Sequence, residues 1–252
     1  METFSEKTKE ICDLYKSSFE LAEHGTHLYS TDEKMALQAT EHANQKQSMK
    51  PGQVERIDPE YILSYAQSCH GTTGIIALRR VATGEIIHPL VQPTRKEEDF
   101  AKHIELVVQC DPLGKHIFVT DHLNTHMSET LVRFVANDEG IESCLLGVKG
   151  KSGILRNMVS REKFLANKSH RIHFVYTPKH CSWLNQIEIW FSIITRRLLN
   201  KRSSFISVYD LELKICSFIN YYNQHLKNLS FGIIPVSYFV PDCIWCFISV
   251  VL

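Results

Sequence analysis

Three acidic residues, far apart in the chain, are the first candidates for a reaction site. Asp32 and Asp121 each follow an apolar run typical of a strand, and Glu188 lies on the border of the apolar stripe of a predicted helix. In open α/β sheets, ligand sites gather beyond strand ends, and carboxylates are the ligands that hard divalent cations prefer. Taken singly, however, an aspartate after a strand usually forms a turn, and a helical glutamate is usually solvated.

The surroundings of Glu188 favour a functional role for it. Residues 173–191 combine a buried strand, a proline stop at Pro178, a predicted helix N-cap at Ser182, and the aromatic side chains Trp183 and Trp190. This combination predicts that Glu188 is held at a defined place after the last strand, instead of lying on a solvated helix surface.

Three sequence blocks carry a resemblance to a known family. They are Thr-Asp-Glu at 31–33, Asp121 followed by Leu-Asn-Thr-His at 123–126, and Thr-Pro-Lys-His-Cys-Ser-Trp-Leu-Asn-Gln-Ile-Glu at 177–188. They resemble the catalytic blocks of mariner-type DDE transposases, most closely the bacterial insertion-sequence branch. The resemblance extends over residues 3 to 227, and its third block is the most specific.

The resemblance implies a fold and a chemistry. The fold is α/β, with an RNase H-like mixed sheet flanked by helices and a basic insertion before the last core strand. The implied catalytic and metal-binding triad is Asp32, Asp121 and Glu188, holding two Mg²⁺ or Mn²⁺ ions. The implied reaction is DNA strand cleavage at the end of a mobile element, followed by transfer of the exposed 3′-hydroxyl to target DNA.

Three polar residues next to the triad could support it. Asn124, His126 and Asn185 could orient the carboxylates or touch a phosphate. The alternative, equally favoured by the sequence, is that they satisfy local backbone groups.

Positive charge is concentrated in one part of the chain. The whole chain has 28 Lys and Arg against 28 Asp and Glu, yet residues 147–202 hold twelve basic and only two acidic residues. With the resemblance, this window predicts a face that binds DNA phosphates, although solvated helix surfaces are the alternative. The candidate DNA-binding residues are Lys149, Lys151, Arg156, Arg161, Lys179, Arg196 and Arg197.

Hydrophobic periodicity predicts the order of the elements. A first helix ends at Gly25 and is followed by a strand that ends at Asp32 and by a loop over 41–59. The predicted elements that follow are a hairpin over 72–81 and 85–91, a helix over 95–109, a strand over 116–120, a helix capped by Ser128, a strand over 171–177, a helix from Ser182 and a last helix over 208–226.

This order predicts three regions. They are an N-terminal helix over 1–25, a catalytic domain over 26–227 with an insertion at about 140–170, and an atypical hydrophobic tail over 228–252. The tail has Asp242 as its only charge and contains two prolines, so we do not expect it to cross a membrane. A frameshifted terminus is the preferred interpretation of this tail.

The expected setting and partners follow from the same analysis. Eight scattered cysteines, with one CxxC at Cys243 and Cys246, predict reduced thiols and a cytoplasmic protein. The expected partner is double-stranded DNA, both element ends and target, with a homodimer possible. Since only 31 residues precede Asp32, a helix-turn-helix protein that recognises element ends would be encoded separately, or the chain is a fragment.

Two alternatives to an active transposase stay open on the sequence. One is a catalytically inactive remnant that binds DNA without cutting it, and the other is an RNase H-like nuclease.

Overall fold

The computed structural model describes residues 4–41, 69–200 and 203–227. The predicted loop after Glu41 and the hydrophobic tail at 228–252 lie outside these residues. Within them, none of the helices combines the length and apolarity needed to span a bilayer.

The centre of the fold is a five-stranded mixed sheet in the order β3-β2-β1-β4-β5. The strands are β1 (Thr26–Thr40), β2 (Cys69–Arg80), β3 (Ile86–Gln92), β4 (Lys115–Thr120) and β5 (Ile172–Tyr176). Strand β2 pairs antiparallel with both β1 and β3, whereas β4 pairs parallel with both β1 and β5. This is the strand order of the RNase H-like fold, so the predicted fold class is confirmed.

Seven helices cover the two faces of the sheet in the described residues. They are α1 (Phe4–Lys16), α2 (Ser18–Glu23), α3 (Glu97–Gln109), α4 (Glu129–Asp138), α5 (Met158–Leu165), α6 (Ile187–Arg197) and α7 (Val208–Tyr221). Short 3₁₀ turns lie at Asn124–Met127, Ser143–Leu146, Ile154–Arg156 and Ser182–Leu184, and a π turn at Tyr222–Leu226 follows α7. Ser128 caps α4 as predicted, its hydroxyl accepting from the Leu131 amide at 3.2 Å.

The two faces carry separate apolar clusters because successive strand residues point to opposite sides. On one face, Tyr29 and Phe118 pack with α3, α4 and α5; we call this the α3 face. On the other, Leu28 packs with α1, and Ile75 packs with Trp190 of α6 and with α7; we call this the α6 face. Fully burying one such side chain contributes about 1.5–3 kcal/mol.

The segment between α4 and β5 shares the core of the α3 face. Leu146, Leu155 and Leu165 are fully buried in the same cluster as the side chains of α3 and α4. The basic segment predicted as an insertion is therefore packed on the sheet through three leucines.

The prediction that β1 ends at Asp32 is wrong. The parallel pairing of β1 with β4 extends only to Ser30 and Val119, but its antiparallel pairing with β2 continues to Thr40. Asp32 therefore lies inside a long strand, at the point where β1 extends beyond its parallel neighbour. The length of β1 is set by a partner strand that its own residues do not reveal.

The prediction that a helix starts at Ser182 is also wrong. Residues 182–184 form a single 3₁₀ turn, and α6 begins at Ile187. Asn185 interrupts the helical path with φ −83° and ψ 105°. The first helix differs as well: it divides at Ser17 into α1 and α2. Phe4 and Phe19 are exposed.

Candidate active site

The sheet brings Asp32 and Asp121 together. Ser30 of β1 is opposite Val119 of β4 in a parallel pair. Asp32 and Asp121 each follow these residues by two positions, so they lie side by side. By strand alternation Asp32 points to the α6 face, as Leu28 does. One oxygen of each aspartate and one ring nitrogen of His126 all lie within 4.8 Å of one another.

Asp32 is the more buried of the two aspartates, with 8% of the residue exposed. Its Oδ1 accepts from the Glu33 amide at 2.8 Å, and its Oδ2 accepts from Asn185 Nδ2 at 3.2 Å. Burial, together with the negative charge of Asp121, raises the pKa of Asp32 to about 6. A free carboxylate at this position is thus costly unless a positive charge joins it.

Asp121 has the opposite electrostatic balance. Its Oδ1 lies 2.7 Å from His126 Nδ1 and accepts from the Leu123 amide at 3.0 Å. Burial on its own would raise the pKa of Asp121, but the hydrogen bond and charge of His126, with the Leu123 amide and His122, outweigh it and lower that pKa below its usual value. Two neighbouring carboxylates therefore have pKa values that are displaced in opposite directions, a pattern typical of functional sites.

Glu188 lies on the first turn of α6, half-buried, outside the group of ligand atoms that fall within 4.8 Å of one another. Burial raises its pKa, the Lys34 ammonium lowers it, and the charge of Asp121 raises it again. The Glu188 charge in turn raises the pKa of Asp32. The third predicted carboxylate is therefore within electrostatic range of both aspartates, although it is not packed against them.

Asn185 connects the start of α6 to β1. The amide is fully buried; its Nδ2 donates to the Thr31 carbonyl at 2.9 Å as well as to Asp32, and its Oδ1 accepts from the Ser30 hydroxyl. The Ser30 hydroxyl also accepts from the Ile187 amide at 2.8 Å. This network explains why the chain leaves helical geometry at Asn185, and it fixes the place from which Glu188 projects.

The other two predicted supporting residues differ from each other. His126 is fully buried and bonded to Asp121, whereas Asn124 is exposed on the 3₁₀ turn between them. The structure thus brings His126 and Asn185 against the aspartates and leaves Asn124 at the surface.

The candidate DNA-binding residues are mostly at the surface. Lys151, Arg156, Lys179, Arg196 and Arg197 are exposed. Lys149 is exposed but pairs with Glu97 at 3.4 Å and with Glu129 at 4.0 Å. Arg161 is buried, and its guanidinium bonds to the Asn157 carbonyl and the Met158 sulfur. A direct phosphate contact by Arg161 does not fit this position.

Sequence reasoning missed three side chains around the aspartates. Ser30 is a bridge in the Asn185 network, and Lys34 lies 5.8 Å from the Phe191 ring and acts on Glu188. Glu33 is buried on the α3 face next to His126. Alternation along β1 could have placed Ser30, Asp32 and Lys34 on one face, but their partners come from distant parts of the chain.

The sequence profile described as "DDE superfamily endonuclease" matches residues 27–212. The chain belongs to this family. The resemblance noted in the three blocks is confirmed at this level, while the insertion-sequence branch stays a prediction. DDE superfamily endonucleases are metal-dependent. The comparison with curated proteins found no significant match to the chain.

Solved structures similar to this DDE family member include complexes and a domain of the Mos1 transposase. A Mos1 paired-end complex with the left transposon end has 11% identity and a TM-score of 0.48, covering 87% of this chain and 55% of that one. A Mos1 mariner paired-end complex with Mn has 11% identity and a TM-score of 0.49, covering 91% and 61%. The Mos1 catalytic domain with Raltegravir and Mg has 10% identity and a TM-score of 0.47, covering 85% and 81%. The chain thus spans little more than half the length of the first two.

The donor set of the site fits a divalent cation. Two carboxylates converge on the same side of the sheet, and the charge of Asp121 helps to raise the pKa of Asp32. A bound cation would relieve this repulsion, and oxygen ligands are those that Mg²⁺ and Mn²⁺ prefer.

Proposed function

We propose that the chain is the catalytic domain of a DNA transposase, which cuts DNA strands in a metal-dependent reaction and transfers them to a target. The observation that supports this most is the meeting of Asp32 and Asp121 at the edge where β1 passes β4. Family membership supplies the reaction class, since a DDE endonuclease cleaves phosphodiester bonds.

In this proposal the metal ligands are Asp32, Asp121 and Glu188, with two Mg²⁺ or Mn²⁺ as the cofactors. Such a pair of cations supplies Lewis-acid activation of the attacking oxygen and stabilisation of the leaving oxygen. Asn185 and His126 hold the oxygens of Asp32 and Asp121 that they contact. Lys34 offsets the charge of Glu188, and the Asn185 network ties the start of helix α6 to β1.

The proposed chemistry has two steps at one site. In the first, a water oxygen attacks a phosphorus at the element end, the P–O3′ bond breaks, and a free 3′-hydroxyl leaves. In the second, that 3′ oxygen attacks a phosphorus of target DNA, and the 3′ oxygen of the target leaves. Both are in-line displacements that need the same arrangement of carboxylates, so one site is sufficient.

The DNA would lie against the exposed cations next to the third block. Lys179 precedes α6, and Arg196 and Arg197 are in its last turn. Phosphate contacts of this kind position a duplex and make its binding salt-dependent, with little dependence on sequence. Lys151 and Arg156 are further exposed cations, in the segment before β5 that packs on the α3 face.

The finer assignments stay proposals together with this function. They are a homodimer, a separately encoded helix-turn-helix partner for the element ends, an insertion-sequence origin and action in the cytoplasm. The region boundaries at 25, 140–170 and 227 also belong here.

The test is DNA cleavage by the purified full chain with Mg²⁺ and a labelled duplex. We expect nicked product from the wild type, none in EDTA and none from Asp121→Asn. Asp13→Asn, the same change at an exposed site on α1, should cut like the wild type. DNA retention without cleavage, unaffected by metal or by Asp121→Asn, would instead support the inactive remnant, and preference for an RNA–DNA hybrid would support the nuclease.

A further inference from the structure

Glu33 is a second carboxylate next to Asp32, and it faces the other way. Because side chains alternate along β1, Asp32 points to the α6 face and Glu33 to the α3 face. The Glu33 side chain is only 1% exposed, a burial that glutamate rarely reaches without partners. The reaction proposed above gives this buried carboxylate no role.

The two oxygens of Glu33 have different partners. Oε2 accepts from Arg95 Nη1 at 3.2 Å, and Oε1 accepts from the Thr125 hydroxyl at 3.2 Å. The same Oε1 lies 3.8 Å from Nε2 of His126. Arg95 thus holds one side of the carboxylate, while the other side is directed at the turn that follows Asp121.

His126 lies between two carboxylates. Its Nδ1 is 2.7 Å from Asp121 Oδ1, and its ring packs against Phe100 in a tilted arrangement with centroids 4.2 Å apart. Its Nε2 is buried with no hydrogen-bond partner in the described part of the chain, and Glu33 supplies the carboxylate beside it. The Thr120 hydroxyl lies 2.8 Å from the same Nδ1. Because an ionised carboxylate only accepts hydrogen bonds, Nδ1 carries the proton that Asp121 receives.

This arrangement gives the two oxygens of Asp121 different roles. Both of its described hydrogen bonds, from His126 and from the Leu123 amide, go to Oδ1, which leaves Oδ2 available to a cation. With Nδ1 engaged in that bond and Nε2 directed at Glu33, the ring supports a ligand and is not itself one. Partners behind a ligand fix its orientation, and their loss weakens metal affinity.

We propose that Glu33 is a positioning residue: its carboxylate attracts a protonated Nε2 and so holds the His126 ring with Nδ1 toward Asp121, and through that ring it keeps Asp121 oriented toward the cation site. The part concerning the cation rests on the proposed function, whereas the orientation of the ring does not. Removing the Glu33 carboxylate removes the only negative charge that the described residues place at Nε2.

The first test is the ring itself, observed by ¹⁵N NMR of the wild-type full chain, with His126→Gln used to assign the signals. We expect both ring nitrogens of His126 to be protonated and the Nδ1 proton to exchange slowly with solvent. In folded Glu33→Gln we expect that proton to exchange faster. An unprotonated Nδ1 or an unprotonated Nε2 in the wild type would overturn the proposal, even if the variant fails to fold.

The second test is Mn²⁺ binding by the metal-free full chain, followed by electron paramagnetic resonance. We expect Glu33→Gln to weaken Mn²⁺ binding by about 10- to 100-fold and Glu33→Asp to restore part of it. Glu98→Gln, the same change at an exposed site on α3, should bind like the wild type. A folded Glu33→Gln with unchanged ring signals and unchanged Mn²⁺ affinity would overturn the proposal. If the wild type neither binds Mn²⁺ nor cuts DNA, the proposed function fails, and the ring measurement still decides the role of Glu33.

Discussion

Asn185 Nδ2 donates a hydrogen bond to Asp32 Oδ2 at 3.2 Å, between residues 153 positions apart in the chain. The amide is fully buried and also bonds to the Ser30 hydroxyl and the Thr31 carbonyl. Because Glu188 follows Asn185 by three residues, this one side chain sets the position of the third carboxylate relative to the first.

Removing the Asn185 amide should damage both stability and activity. Asn185→Ala leaves buried groups of β1 without partners, so we expect the free energy of unfolding to fall by about 1–3 kcal/mol. Urea unfolding measures this, and Asn137→Ala, an exposed asparagine on α4, is the control. Equal stability of the two variants would contradict the role given to Asn185.

The pH dependence of stability should show the raised pKa of Asp32. Its folded pKa of about 6 is above the ordinary value of 3.8, so its contribution to stability is complete below about pH 4 and is lost as pH rises through 6. In EDTA, we expect wild-type unfolding free energy to decrease between pH 4.5 and 7.5 relative to Asp32→Asn, by roughly 3 kcal/mol at most. Parallel pH profiles for the two proteins would contradict the raised pKa.

Divalent metal should reverse this loss. Binding requires ionised Asp32, so we expect Mg²⁺ or Mn²⁺ to raise the melting temperature more at pH 7.5 than at pH 5.5. At 100 times the dissociation constant the stabilisation is about 2.7 kcal/mol. Differential scanning calorimetry measures it, and Asp121→Asn should lose most of the metal effect. If the metal raised the melting temperature equally at both pH values, the ion would bind at a site other than Asp32.

The salt dependence of DNA binding should locate the basic face. Replacing Arg196 and Arg197 together by alanine should weaken duplex binding and reduce the slope of log affinity against log salt by about 2. Arg133→Ala, which removes an exposed arginine of α4 paired with Glu129, should leave that slope unchanged. Fluorescence anisotropy at several salt concentrations distinguishes the two; equal slopes would remove α6 from the DNA-binding surface.

Local patterns in the sequence were sufficient for much of the fold. The strand at Lys115–Thr120, the hairpin of β2 and β3, and the Ser128 cap were predicted because each depends on residues near one another. Asp121 was placed correctly after a strand for the same reason.

Features that depend on distant partners were not predictable in this way. The extension of β1 beyond Asp32 comes from pairing with β2, and the shift of the α6 start comes from the bonds between Asn185 and β1. Glu33 was visible in the first block, but nothing in the sequence places Arg95 or His126 beside it.

Metal-specific rescue of Asp121→Cys tests most directly whether Asp121 binds the catalytic cation. A thiolate is a poor ligand for Mg²⁺ and a better one for softer cations. In a cleavage assay, we expect this variant to be inactive in Mg²⁺ and to regain strand cleavage in Mn²⁺, whereas Asp121→Ala stays inactive in both. Full activity of Asp121→Cys in Mg²⁺, or equal failure of both variants in Mn²⁺, would contradict the account.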